Sequence, residues 1–208
     1  MINEQRVVRD RVVIGASAGG VMALIRLLEG LPRDLPAALS IVLHRSPFYE
    51  TQLPFVLGRR TPLKVIEPHD GIAVQPGVVY VAPRDQHMVM YDGVLRLDRG
   101  PKQHRTRPAI DPLFRSAAAA YGPRVVGVLL SGMGGDGVSG LIDIKHSGGV
   151  SLVQTPAEAE FPTMPSRALK EDDVDGALTV TGLAEAITLL AAGQAVESGA
   201  PRSVVPER

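Results

Sequence analysis

The sequence predicts an α/β protein, a three-layer, doubly wound and mostly parallel sheet with an antiparallel hairpin excursion. Short runs rich in Val, Ile and Leu alternate along the chain with segments whose apolar residues recur at helical spacing. Near the middle, Asp92-Gly93 separates two strand-like runs, and this dipeptide is typical of a tight hairpin turn. Strands separated by helices favour parallel pairing, with helices covering both faces of the sheet.

The predicted elements cover most of the chain. The strands are Arg11–Gly15, Leu39–Leu43, Leu63–Ile66, Gly77–Ala82, His87–Tyr91, Val94–Leu97, Val125–Leu130, Gly149–Val153 and Ala177–Val180. The helices are Val21–Leu31, Phe48–Leu57, Asp111–Tyr121, Gly137–Ser147, Pro165–Lys170 and Thr181–Ala192. Pro54 weakens the second of these helices. We expect one domain over residues 1–193 and a disordered tail over residues 194–208, which are small, polar and proline-containing.

Composition excludes several classes of protein. The 22 Lys and Arg residues balance 22 Asp and Glu residues, which argues against a nucleic-acid-binding protein. The absence of cysteine excludes disulfides, thiolate metal sites and cysteine nucleophiles. The N-terminal residues lack the apolar stretch of a secretory signal, and no apolar run is long enough to cross a bilayer. We therefore expect a cytoplasmic protein without membrane insertion.

Ser17 is the first candidate for chemistry. It lies in Gly15-Ala16-Ser17-Ala18-Gly19, a literal G-x-S-x-G between a predicted strand and a predicted helix. Such a turn exposes a serine hydroxyl at the top of the sheet, and the following helix directs free N–H groups at the same point. A glycine-rich turn in this place also holds phosphates in dinucleotide-binding proteins. From the motif alone, a nucleophile and a phosphate-binding or merely tight turn both remain open.

A serine nucleophile needs a base, and the base needs a carboxylate. His44 directly follows a predicted strand and is the best candidate base, with His87 second. Asp136 lies in a loop with four glycines after the strand Val125–Leu130, although it could equally cap the next helix. The order Ser, His, Asp differs from that of α/β-hydrolases. Backbone N–H groups of both glycine loops, at Ala18, Met133 and Gly134, are candidate oxyanion donors.

Together these motifs resemble one family, the catalytic domain of the chemotaxis protein-glutamate methylesterase CheB. The matching segments are VVIGASAGG (Val12–Gly20), the strand ending at His44, VVYVAPRDQHM (Val78–Met88), IDPLFRSAA (Ile110–Ala118) and LLSGMGGDGVSGL (Leu129–Leu141). The resemblance implies hydrolysis of glutamate γ-methyl esters, and deamidation of some glutamines, on the cytoplasmic helices of chemoreceptors. It also implies that Ser17 is the nucleophile, His44 the base and then acid, and Asp136 the partner of the histidine.

Two departures from the family concern regulation and substrate. The resemblance begins near Arg11, so we expect a form without the receiver domain that controls the well-studied enzyme. The family histidine is often followed by Met-Pro, whereas here His44 precedes Arg45-Ser46-Pro47.

The expected partner is a methylated chemoreceptor or a receptor-like signalling protein, and no cofactor or metal is expected. A basic loop, Arg99–Pro108, could dock an acidic receptor helix through four cations, Arg99, Lys102, Arg105 and Arg107. Two alternatives remain at this point: a non-catalytic phosphate or nucleotide-binding module, and a related hydrolase acting on another protein ester or amide.

Overall fold

The computed structural model describes residues 7–45 and 52–196. Its strands are β1 Arg11–Ala16, β2 Ala38–Leu43, β3 Lys64–Ile66, β4 Ile72–Ala73, β5 Val78–Val81, β6 His87–Tyr91, β7 Val94–Asp98, β8 Val125–Leu129, β9 Val150–Gln154 and β10 Gly176–Leu178. Its α-helices are α1 Gly20–Glu29, α2 Leu53–Gly58, α3 Ile110–Tyr121, α4 Val138–His146, α5 Thr163–Glu171 and α6 Val180–Ala191. The predicted α/β alternation is confirmed.

Seven strands form one sheet in the order β10-β9-β8-β1-β2-β5-β3, and all of its pairings are parallel. The predicted hairpin of β6 and β7 is confirmed and, with the unpredicted two-residue β4, forms a separate antiparallel sheet. The antiparallel part is therefore smaller than the sequence predicted, because β3 and β5, from the irregular middle of the chain, belong to the parallel sheet.

Alternate side chains of each central strand enter two apolar cores. In β1, Val12 and Ile14 contact the core beneath α1 and α6, whereas Val13 faces the core that includes α3 and α4. A strand buried on both faces reads as a continuous apolar run, which is why β1 and β8 are so hydrophobic. Two helical layers enclosing one sheet confirm the three-layer prediction.

All six helix starts differ from prediction, and two of the differences have a clear local cause. α6 begins at Val180, because the Thr179 hydroxyl accepts a hydrogen bond from the Gly182 N–H and caps the helix. α2 begins at Leu53, which places Pro54 in the first turn, where its missing N–H costs no helical hydrogen bond. The predicted residues 48–51 of this helix, and residues 197–208 of the predicted tail, lie outside the described ranges. At the start of that tail, the Gln194 N–H donates to Leu189 O over 2.9 Å.

The carboxyl ends of β1, β2 and β8 meet at one edge of the sheet. β1 pairs with β2 on one side and with β8 on the other, so the chain changes direction across the sheet at β1. Ligands of open α/β sheets bind in the crevice at such a point. Over residues 7–45 and 52–196, none of the helices has both the length and the apolar character that crossing a membrane requires.

Candidate active site

Ser17, His44 and Asp136 lie in hydrogen-bond contact at this edge of the sheet. Ser17 directly follows β1, and its Oγ lies 3.2 Å from His44 Nδ1. His44 directly follows β2, and its Nε2 lies 2.7 Å from Asp136 Oδ2. The structure thus brings together the three side chains that the sequence predicted for a triad.

The hydrogen bonds fix the tautomer of His44. An ionised carboxylate only accepts hydrogen bonds, so the imidazole proton lies on Nε2 and is donated to Asp136. Nδ1 then carries the lone pair that accepts the Ser17 hydroxyl. In the serine-protease arrangement the two ring nitrogens have the opposite partners, so here Nδ1 is the nitrogen placed to receive a proton from the serine.

Asp136 is almost completely buried, with 2% of its surface exposed. Burial opposes the ionised form, but the hydrogen bond from His44 and the backbone N–H groups of Ile110 and Asp111 outweigh it. As a result, the pKa of Asp136 lies below its ordinary value. The carboxylate therefore remains charged at neutral pH, which is the form able to hold the Nε2 proton of His44.

Asp136 also caps a helix, but not the one that follows it. Its two oxygens accept the N–H groups of Ile110 (2.7 Å) and Asp111 (3.0 Å), in the first turn of α3. Asp111 in turn accepts the N–H groups of Gly137 (3.1 Å) and Gly140 (2.8 Å), at the start of α4. The two helices therefore exchange caps, and the expectation that Asp136 caps its own helix is wrong.

The backbone around Ser17 leaves N–H groups free at the site. The N–H groups of Ala18, Met133 and Gly134 have no hydrogen-bond partner within the described part of the chain. Gly19, the N-cap residue of α1, has a φ of 70°, a conformation that a glycine adopts without strain. The three N–H groups are thus unpaired in the described part of the chain, and their role as oxyanion donors stays a prediction.

Gly132 lets the second glycine loop approach Ser17. A β-carbon on Gly132 would lie 2.9 Å from Cβ of Ser17 and 2.5 Å from Cε of Met164, both closer than real contacts allow. Met164, at the start of α5, is itself fully buried. Contact between the two loops therefore requires glycine at position 132.

His87, the second candidate base, is buried away from Ser17. Its Nδ1 accepts the N–H of Ala109 over 3.2 Å, and its Nε2–H donates to Pro101 O over 3.0 Å. One ring nitrogen thus joins β6 to the basic loop and the other joins β6 to the start of α3. We interpret His87 as a structural histidine.

The four predicted docking cations of the basic loop divide into two kinds. Arg107 donates to Asp85 Oδ1 over 2.8 and 3.0 Å and to the carbonyl groups of Arg99 and Gly100. Its guanidinium therefore fixes the loop from within, which makes it less suited to docking a partner than the other three cations. The side chains of Arg99, Lys102 and Arg105 are exposed.

Sequence reasoning missed two residues of the basic loop that contact the site. The hydroxyl of Thr106 donates to Gln103 O and lies 3.3 Å from His44 Nε2, so it is a second, longer acceptor for that proton. His104 donates to Asp111 Oδ2 over 2.8 Å. A positive φ at His104, 49°, turns the loop back toward the sheet, and no sequence pattern indicated this.

His104, Asp111 and Asp136 each place a ligand atom within 4.8 Å of the others, a spacing that a metal ion could use. The carboxylate oxygens already accept four backbone N–H groups. The guanidinium of Arg115 also lies 3.2 Å from Asp111 Oδ2 and opposes a second cation there. This cluster fits helix capping better than metal binding.

Arg45, which replaces the methionine often found after the family histidine, points away from the solvent. Its side chain is 4% exposed and lies 3.5 Å from the Glu67 carboxylate. It also donates to the carbonyl of Ala82, just beyond β5. The Arg45 side chain thus connects the end of β2 to the end of β5, the neighbouring strand of the sheet.

Serine, histidine and aspartate in hydrogen-bond contact at the carboxyl edge of the sheet form the arrangement that serine hydrolases use. Comparison with known proteins then gives the family. The chain belongs to the CheB methylesterase family, whose sequence profile matches residues 12–187. The crystal structure of the Thermotoga maritima CheB methylesterase catalytic domain matches with a TM-score of 0.82 and 32% identity, covering 86% of this chain and 97% of that one.

Curated relatives carry both activities in their names. A protein-glutamate methylesterase/protein-glutamine glutaminase of Anaeromyxobacter dehalogenans is 41% identical over 176 residues, covering 85% of this chain and 52% of the relative. A relative of the same name from Methanosarcina mazei is 34% identical over 194 residues, covering 89% of this chain and 53% of the relative. The chain therefore spans about half the length of the curated relatives it matches.

Proposed function

We propose that this chain is a protein-glutamate methylesterase that uses Ser17, His44 and Asp136 as its triad. The observation that carries the proposal is the unbroken series of contacts from Ser17 Oγ through His44 to Asp136. Membership of the CheB methylesterase family supports the substrate class, a glutamate γ-methyl ester. The names of the relatives support deamidation of glutamine as a second reaction of the same site.

In the first half of the reaction, Ser17 Oγ attacks the ester carbonyl carbon while His44 Nδ1 takes the serine proton. The tetrahedral intermediate carries its negative charge on the former carbonyl oxygen, which the N–H groups of Ala18 and Met133 stabilise. The intermediate collapses, His44 returns the proton to the leaving oxygen, and methanol departs. The product is a glutamyl ester of Ser17.

In the second half, water attacks this ester while His44 Nδ1 takes a proton from it. Collapse of the second intermediate expels Ser17 Oγ, which recovers the proton and leaves the glutamate carboxylate free. Asp136 remains ionised throughout and stabilises the imidazolium form of His44. With glutamine as substrate, ammonia replaces methanol as the leaving group.

The proposed partner is a methylated chemoreceptor or receptor-like signalling protein, which the enzyme meets in the cytoplasm. The exposed cations Arg99, Lys102 and Arg105 lie on the same loop as Thr106, which contacts the triad. Electrostatic attraction would bring an acidic, glutamate-rich receptor helix to this side of the site. Because the cations would bind the receptor helix and not the ester, the ester would be selected at Ser17.

Phosphate binding at the Ser17 turn is the weaker alternative. A β-carbon on Gly19 would lie 2.9 Å from Oε2 of Glu160, so a carboxylate stands directly beside this turn. Its negative charge opposes a phosphate at the start of α1. A hydrolase that acts on another protein ester through the same triad is the remaining alternative, and the substrate experiment separates it.

The experiment is release of methanol from methylated receptor membranes by wild type and by Ser17→Ala. We expect release by the wild type and a loss of at least about 10³-fold in the variant, since removal of the nucleophile leaves only residual catalysis. A serine-directed fluorophosphonate should label the wild type alone. Full esterase activity in Ser17→Ala would contradict the proposal, and labelling without methanol release would favour another ester as substrate.

A further inference from the structure

Ser131, the second residue after β8, uses all of its polar groups next to Ser17. Its carbonyl accepts the N–H of Ser17 over 3.0 Å, and its hydroxyl donates to the carbonyl of Ala18 over 2.8 Å. The same hydroxyl accepts the N–H of Phe161 over 3.0 Å, while its own N–H donates to Oε1 of Gln154 over 2.9 Å. Ser131 is 1% exposed.

Two of these hydrogen bonds flank one peptide unit. The peptide between Ser17 and Ala18 carries the free N–H of Ala18, and Ser131 holds the backbone immediately before it and immediately after it. The carbonyl of the same peptide, Ser17 O, accepts the N–H of Gly20 over 2.9 Å, so Gly20 and Ser131 together hold the orientation of the Ala18 N–H. A donor must aim at the place where the oxyanion forms, because its benefit depends on geometry in the transition state.

The hydroxyl also joins the Ser17 turn to the segment on its other side. Phe161 O accepts the N–H of Gly132, and Gly132 O accepts the N–H of Met164, so the loop after β8 is bound to this segment along its length. Gln154 extends the connection, since its amide donates to Glu158 over 3.3 Å. Ser131 is the residue common to both groups of contacts.

We propose that Ser131 is a positioning residue, whose hydroxyl holds the Ser17–Ala18 peptide in the orientation that stabilises the oxyanion. This inference rests on the proposed function, because it assigns the Ala18 N–H to transition-state stabilisation. It predicts an effect on the chemical step and little effect on substrate binding. Ser131 itself does not touch the substrate.

The test compares Ser131→Ala with Ser151→Ala. Ser151 is a matched control, because it is fully buried in β9 and its hydroxyl likewise donates one hydrogen bond and accepts another, both with Asp175. Ser131→Thr keeps the hydroxyl. For each protein, kcat and KM for methanol release, the rate of fluorophosphonate labelling and the free energy of unfolding are measured.

We expect Ser131→Ala to lower kcat and the labelling rate about tenfold or more, with KM unchanged, since small misplacements of catalytic groups have effects of this order. Ser151→Ala should stay within about twofold of wild type in both rates, although both alanine variants lose stability. Ser131→Thr should restore most of the rate. If Ser131→Ala does not fold, Ser131→Cys gives the same comparison with a weak donor of similar size.

Equal rates in Ser131→Ala and Ser151→Ala would overturn the inference. Equal losses of kcat in Ser131→Ala and Ser131→Thr would also overturn it, because the hydroxyl would then not be responsible for the rate. If wild type is labelled but releases no methanol, the methylesterase proposal fails while the labelling rates still decide the role of Ser131. If wild type is not labelled, Ser17 is not activated and both proposals fail.

Discussion

His44 connects the serine and the aspartate through the reverse pair of nitrogens to that of serine proteases. The ring must therefore carry its proton on Nε2 for Ser17 to find a lone pair on Nδ1. Asp136 enforces this tautomer through the 2.7 Å contact, and Thr106 offers a further acceptor on the same side. Both acceptors favour the same reactive form of the base.

Replacement of Asp136 by Asn should remove this control. The asparagine amide can donate a hydrogen bond to Nε2, which would move the ring proton to Nδ1. A protonated Nδ1 can no longer accept the proton of Ser17. We expect Asp136→Asn to lower kcat by up to about 10⁴-fold, the effect of the same change in the serine-protease triad. Methanol release at saturating substrate measures this loss, and a rate near that of wild type would argue against a role for the tautomer.

The position of the triad residues was predictable from the sequence, but their supporting contacts were not. A residue directly after a buried parallel strand must lie at the carboxyl edge of the sheet; this rule located His44 and agreed with the G-x-S-x-G motif that located Ser17. Ser131 obeys the same rule, so the signal for it was present in the sequence. Thr106 gave no such signal, because a loop folded back over the site brings it to His44.

At the scale of elements, the basic loop has one internal cation and three outward ones. Arg107 is bound to Asp85 and two carbonyl groups, whereas Arg99, Lys102 and Arg105 are exposed. Sequence alone grouped the four cations, since charge is visible in a sequence but the partner of each charge depends on the fold.

Neutralising the three exposed cations together, as Arg99→Gln, Lys102→Gln and Arg105→Gln, should weaken binding to receptor membranes and raise KM, more strongly at low salt. The kcat and the thermal midpoint should remain near their wild-type values. Arg107→Gln is the contrasting variant, in which we expect a lower thermal midpoint without the salt-dependent rise in KM. A KM that is unchanged in the triple variant at low salt would reject docking by this loop.

The exchange of caps between α3 and α4 was also not predicted from the sequence. Asp136 and Asp111 lie 25 residues apart. Asp136 caps α3, the helix that contains Asp111, and Asp111 caps α4, the helix that follows Asp136. The local rule that an aspartate caps the helix just after it predicted a cap, but assigned it to the wrong helix. Packing of α3 against α4 makes the longer-range cap available.

For the whole molecule, the depressed pKa of Asp136 links stability to pH. Because the ionised form is favoured in the folded state, its contribution to stability is present above the ordinary carboxyl pKa and is lost as the pH falls through the lowered value. The difference in free energy of unfolding between wild type and Asp136→Asn should therefore be fully present at about pH 5 and shrink toward about pH 3. Urea unfolding followed by circular dichroism measures it, and a difference that grows with acid would contradict the sign.

The architecture followed from the sequence because it depends on periodicity, which is local. The continuous apolar runs of β1 and β8 indicate strands buried on both faces. The predicted helices are recognised by apolar residues at helical spacing. The membership of β3 in the parallel sheet could not be read in the same way. Its three residues carry no distinctive pattern, and only pairing with β5 decides where they belong.

The capping role of Asp136 affects how other sequences should be interpreted. A chain that had lost its hydrolytic use would still need a carboxylate at this position to begin α3, so selection for folding alone would retain the aspartate. Ser17 has no comparable structural role, because its hydroxyl contacts only the imidazole among the described side chains. In related chains, we therefore expect the serine to be the more informative marker of a working enzyme, because an aspartate retained for capping would not distinguish active from inactive chains.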